Sequence, residues 1–130
     1  MTPHSWPCPL PGGGMAQEYG LSFDASRTKR LLIVPALLDE ANRMRRLTVE
    51  VMRRLDSAGI DTFLPDFPGT NESLQQLEVQ EPQDWHDAMA AAGQLFGATH
   101  VLGIRGGCLF TLSALPTLHS APVSAGQILR

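Results

Sequence analysis

The sequence is poor in aromatics, in cysteine and, over much of its length, in positive charge. Phe, Trp and Tyr make up only 6% of the 130 residues, so any core must lean on aliphatic side chains. Two cysteines, Cys8 and Cys108, fit neither a disulfide framework nor a metal-ligand spacing, which excludes the disulfide-stapled and zinc-stapled small scaffolds. A reduced, cytoplasmic setting is therefore expected, with no metal and no cofactor. No apolar stretch approaches the roughly 20 residues that cross a bilayer. The N-terminus lacks the basic start and apolar run of a signal peptide. From Leu55 to Ile104 there are eight acidic residues and no Lys or Arg.

The positive charge is gathered elsewhere: eight of the ten Lys and Arg residues lie between Arg27 and Arg54. The cluster Arg43, Arg45, Arg46, Arg53 and Arg54 has the composition to meet phosphate or an acidic partner, but reads first as a solvated helix face. No nucleic-acid partner is expected at a net charge of −3.

Residues 1–14 carry four prolines and three consecutive glycines and are expected to form a disordered tail, leaving one domain over 15–130. Tyr19, Leu21 and Phe23 alternate with small residues, the period of a short edge or hairpin strand. Leu31-Leu32-Ile33-Val34, closed by Pro35, reads as a strand covered on both faces. Met44, Leu47, Val51, Leu55 and Ala58 recur at helical spacing over 40–58, and Gly59 stands at the left-handed cap. Ile60 to Pro65 supplies another strand, and Asp66-Phe67-Pro68-Gly69-Thr70-Asn71 supplies turn chemistry.

Pro82 suits the first turn of a helix that buries Trp85, Met89, Ala92, Leu95 and Phe96 and ends at Gly97. His100 to Ile104 is a third long strand, and Gly106 to Leu115 reads as a short apolar helix stopped by Pro116. Strands alternating with helices predict an α/β fold, a parallel sheet with flanking helices and right-handed crossovers. Ligands of such sheets sit beyond the C-terminal strand ends. The places to search are therefore 35–40, 66–71 and 105–107.

Gly103-Ile104-Arg105-Gly106-Gly107 has the small-x-nucleophile-x-small spacing of a strand-to-helix elbow, where glycines relieve crowding in a very tight turn. Arg105 stands where the serine belongs. Together with Pro35 to Arg46, Asp66 to Ser73 and Trp85, this segment resembles the α/β hydrolases associated with bacterial exosortase systems, over roughly residues 29–130. The resemblance implies a partial hydrolase fold and a setting in exopolysaccharide export and protein sorting. It also implies that arginine at the elbow recurs among such proteins. Ala121 to Arg130 is similar to the strand and turn that follow the elbow in that group. The family's acid and histidine come from later strands, which this sequence is expected to lack.

Arg105 cannot act as a nucleophile, because its guanidinium stays protonated. By the resemblance, the N–H groups of Ala36 or Leu37 and of Gly106 correspond to oxyanion donors. Arg105 can serve as an anion clamp at a helix N-terminus, with Asp39, Glu40 and Asp66 bordering the cleft. The plainer alternative pairs Arg105 with one of those three acids. Cys108 lies three residues past the elbow position and reads as a buried core thiol. His119 reads as a loop residue, and His86 and His100 as surface or strand histidines. Asp66 reads mainly as a turn-shaping carboxylate.

Three functions fit: a noncatalytic hydrolase-like protein that binds a small anionic or acyl ligand, an esterase or thioesterase with another nucleophile, and an interaction module that completes its sheet with a protein partner.

Overall fold

The computed structural model describes residues 1–70 and 75–120. In chain order these form β1 (Thr2–Pro9), β2 (Met15–Phe23), β3 (Arg30–Val34), α1 (Asp39–Ser57), β4 (Asp61–Pro65), a 3-10 turn (Leu77–Val79), α2 (Pro82–Phe96), β5 (His100–Ile104), a 3-10 segment (Arg105–Phe110) and β6 (Thr117–Ser120). One six-stranded sheet holds all the strands in the order β1-β2-β4-β3-β5-β6. Strands β3, β4, β5 and β6 run parallel, as the alternation of strands and helices predicts, and β1 and β2 are added antiparallel at one side.

The expected tail is instead a hairpin strand. In β1 the prolines at 3, 7 and 9 share one parity, and Trp6 and Cys8, both buried, share the other. Proline has no N–H, so its presence at alternate positions costs nothing where those groups point away from the partner strand. β1 pairs with β2 from Thr2↔Ser22 to Pro9↔Met15. The glycines make the turn: Gly13 and Gly14 adopt positive φ, and the Leu10 N–H donates to the Gly14 carbonyl across 2.9 Å.

α1 and α2 match their expected spans to within a residue. Asp39 and Glu40 in the first turn of α1 and Arg54 in its last complement the helix dipole. α2 begins with Pro82, accepts the Glu81 N–H on the Asp84 carboxylate at 2.7 Å, and ends at Gly97 with φ +71°.

The helix expected over 106–115 is only the 3-10 segment through Phe110, followed by irregular chain. Two adjacent glycines weaken helix formation, and Phe110 is drawn into an aromatic cluster with Phe67 and Trp85, at ring separations of 5.5 and 5.6 Å. His119 lies in β6, not in a loop.

Alternating residues of the strands feed two cores. Trp6, Leu32, Val34, Phe63 and Val101 face α2, with Met89, Ala92 and Phe96 packed on them. Leu21, Ile33, Leu64 and Ile104 face α1 and its Met52. At the N-terminal ends of the strands, the fully buried Asp61 carboxylate accepts the backbone N–H groups of Ala25 and Arg27 and pairs with the Arg27 and Arg30 guanidinium groups. A buried carboxylate is tolerable there because its oxygens are met by donors of matching charge.

Candidate functional site

The loops after β3, β4 and β5 all open at the same end of the sheet, as parallel strands require. The turn after β5 is strained. Arg105 adopts φ +52°, in the left-handed region that side chains other than glycine rarely enter. Crowding enforces the turn. A Cβ on Gly103 would lie 2.7 Å from Thr111 Cγ2 and 3.0 Å from Cys108 Cα, and one on Gly107 would run into the Pro35 carbonyl and lie 2.6 Å from that of Val34. The elbow is therefore pressed against the end of β3, and only glycine allows the approach.

The facing loop is strained too. Leu38, the residue before α1, has φ +55°. Two non-glycine residues in unfavourable backbone conformations thus sit on neighbouring loops at the same strand ends, a distribution that favours a functional site over a packing defect.

Of the three acids considered for Arg105, the structure brings Glu40 to it: Arg105 Nε donates to Glu40 Oε1 across 3.1 Å, and both side chains are a little over one-third exposed. Asp39 is exposed beside Glu40. Asp66 is buried and meets Arg45, at 3.5 Å, while its own N–H donates to the Tyr19 carbonyl. The sheet order sets this division, because β3 separates the loop after β4 from the elbow. Ala36 is buried, Leu37 is half-buried, and Gly106 is buried at the start of the 3-10 segment. Asn71, Glu72 and Ser73, and the closing segment 121–130, lie outside the described residues.

Cys108 is half-buried rather than buried, and desolvation raises its thiol pKa, outweighing the nearby Arg105 charge that lowers it. It is no activated nucleophile. His119 shares a hydrogen bond with Thr111 Oγ1 at 3.4 Å, and His100 with Thr99 Oγ1 at 2.9 Å. His86 packs edgewise on Phe110. None of these bonds links a histidine to the elbow. Sequence reading missed the brace behind the site: Trp85 Nε1 donates to the Pro68 carbonyl at 3.0 Å and its ring stacks on Phe67 at 4.6 Å. Nothing local in the sequence pairs residues so far apart.

No protein-family description and no curated protein matches the sequence. Solved structures do resemble it. A protein of Agrobacterium vitis S4, provisionally named a hydrolase, superposes with a TM-score of 0.66 at 14% identity, covering 94% of this chain and 52% of the other. An α/β hydrolase of Novosphingobium aromaticivorans superposes with a TM-score of 0.54 at 18% identity, covering 80% of this chain and 34% of the other. The chain has a partial α/β-hydrolase fold. This hydrolase-like chain spans about half the length of the first structure and about a third of the second. Among its described residues, no helix is long and apolar enough to cross a membrane, and no cluster of three metal-ligating side chains forms.

Proposed function

We propose that this is a noncatalytic hydrolase-like protein that holds a small anion, a carboxylate or a phosphate, against Arg105. The observation that carries the reading is the placement of a permanently charged guanidinium on the strained turn after β5. Glu40 steadies that side chain through Nε, and its partial exposure keeps it within reach of solutes. A guanidinium favours planar, doubly acceptor-bearing anions such as carboxylates and phosphates. The helix N-terminus expected to assist is a six-residue 3-10 segment, so the side chain carries the recognition. The backbone groups of Ala36, Leu37 and Gly106 are candidate further donors, with Asp39, Glu40 and Asp66 bordering the cleft.

Hydrolysis needs a nucleophile and a base in hydrogen-bond reach. Arg105 offers no lone pair, and the hydrogen bonds of His100 and His119 run to Thr99 and Thr111. The resemblance of 35–46, 66–73 and 103–107 to exosortase-associated hydrolases supports a role beside exopolysaccharide export or protein sorting in bacteria.

The test has two arms. Fluorophosphonate probes and p-nitrophenyl esters should give no adduct and no turnover above buffer, and a labelled serine would refute the noncatalytic reading. Inorganic phosphate and acetate, titrated calorimetrically, should bind the wild-type protein and not Arg105→Gly. Equal binding by the two would remove Arg105 from the site.

A further inference from the structure

The arginines of α1 differ in what holds them. Arg53 and Arg54 reach the exposed Glu50, whereas Arg45 turns inward to Asp66, whose side chain is only 7% exposed. That contact uses one nitrogen: Arg45 Nη1 donates to Asp66 Oδ1 at 3.5 Å. Among the described residues Arg45 has no other bonded partner. The edge formed by its Nε and Nη2, a fork that meets a carboxylate or phosphate with two parallel hydrogen bonds, is therefore unused.

Arg45 stands at the side of a pocket of about 360 Å³ whose floor is the β1–β2 hairpin. Register pairs Ser5 with Tyr19 and Pro3 with Leu21, and Leu21 belongs to the core that faces α1, so these four side chains share that face. The hydroxyls of Ser5 and Tyr19 make no hydrogen bond among the described residues. His4 lines the pocket as well but turns its imidazole to the other face, where it stacks on Phe63. Every lining residue lies within 3–66, all of them described, and β4, β3 and β5 stand between this hairpin and β6.

We propose that this pocket binds a small organic oxyanion, a carboxylate or phosphate monoester carried on a flat apolar ring, with the oxyanion on the Arg45 fork and the ring against Tyr19 and Pro3. The donors decide the charge. Arg45, Ser5 and Tyr19 can all donate, and the one carboxylate present, Asp66, is buried and engaged with Arg45. Asp66 cancels the guanidinium charge at a distance, so affinity comes from short charge-assisted hydrogen bonds and from covering the ring. The same carboxylate holds the long arginine side chain in place beforehand, which reduces the entropy lost on binding. The volume falls within the roughly 300–1,000 Å³ of small-molecule sites. The inference is independent of the Arg105 reading, because β3 separates the loop that carries Asp66 from the elbow and the two sites share no cation.

Phenyl phosphate and benzoate are titrated calorimetrically into the Arg105→Gly protein, in which the elbow offers no guanidinium. The tighter of the two names the oxyanion, and it should bind about tenfold or more tightly than its ring-free counterpart, inorganic phosphate or acetate, because only it covers Tyr19. Arg45→Lys keeps a charge beside Asp66 and loses the fork, and should weaken binding about tenfold. Ser5→Ala combined with Tyr19→Phe removes two hydroxyls that the fold does not use, and should weaken binding about threefold or more with the urea midpoint unchanged. No saturable binding overturns the proposal. So does an affinity that Arg45→Lys leaves unaltered, or a ring-bearing ligand that binds no more tightly than its ring-free counterpart.

Discussion

Trp85 and Pro68, seventeen residues apart, are joined by one hydrogen bond, Nε1 to carbonyl oxygen, at 3.0 Å. That bond fixes the turn after β4 to α2, and the Trp85 ring at the same time stacks on Phe67 and meets Phe110 from the segment after the elbow. One side chain therefore couples two of the three loops that border the site.

Trp85→Phe keeps one aromatic ring but removes the N–H donor and the second ring of the indole. It should cost about 1–2 kcal/mol, from one hydrogen bond and a small void, whereas Trp85→Ala should cost about 3 kcal/mol or more through the larger cavity it leaves. Urea unfolding measures both. A Phe variant as damaging as Ala would show that packing, not the hydrogen bond, holds the turn.

Gly107→Ala drives a methyl group into the Pro35 carbonyl, a backbone atom that cannot swing aside. A loss of about 3 kcal/mol or outright failure to fold is expected. Gly12, whose added Cβ meets nothing within 4 Å, provides the control, and Gly12→Ala should unfold within about 0.5 kcal/mol of wild type.

Arg105→Gly relieves the positive φ and loses the Glu40 pair. A half-exposed ion pair contributes less than about 1 kcal/mol and the backbone strain costs about 1 kcal/mol or more, so the glycine variant should match or exceed wild-type stability and exceed Arg105→Ala. Arg105→Ser should give no ester hydrolysis above buffer; turnover would reveal an acid and base placed otherwise than described.

Asp24 has its carboxyl pKa lowered to about 2, chiefly by the hydrogen bond from Arg30. A lowered folded pKa means that its contribution is complete above the ordinary value of 3.8 and is lost as pH falls through about 2. Asp24→Asn should therefore flatten the dependence of stability on pH between about 4 and 2 and leave the curve near neutrality unchanged in shape. An unaltered acid limb would show that another carboxylate governs it.

Cys8 is fully buried, and desolvation, with Glu18 and Asp84 nearby, pushes its thiol up to about 12. In the native protein a disulfide reagent should therefore modify half-buried Cys108 first, and Cys108→Ser should remove that phase. Rapid reaction of Cys8 without unfolding would contradict its burial.

The local code of this sequence is strong where one residue type has one use. The helical recurrence of Met44, Leu47, Val51, Leu55 and Ala58 marks the span of α1, although the residues it buries are Thr48 and Met52, and Pro82 and Gly97 bound α2 because proline fixes the first turn and glycine accepts the left-handed cap. Gly103 and Gly107 mark a turn too crowded for side chains, and the structure crowds them as expected. The same code misled where composition stood in for pattern. Residues 1–14 are rich in breakers, yet their alternation puts every proline of β1 on one parity, and that, not the proline count, decides whether a strand can pair.

From sequence alone came the strand–helix alternation, the elbow and the charge that occupies it. Tertiary structure decided which acid Arg105 meets, because that depends on β3 lying between β4 and β5 and on α1 starting beside the elbow. It also decided which apolar residues stay exposed: Leu47 and Val51 belong to the helical recurrence read from the sequence, and among the described residues the course of α1 across β4 and β2 leaves them exposed. Periodicity specifies that a face is apolar, while burial depends on what the rest of the chain brings to it.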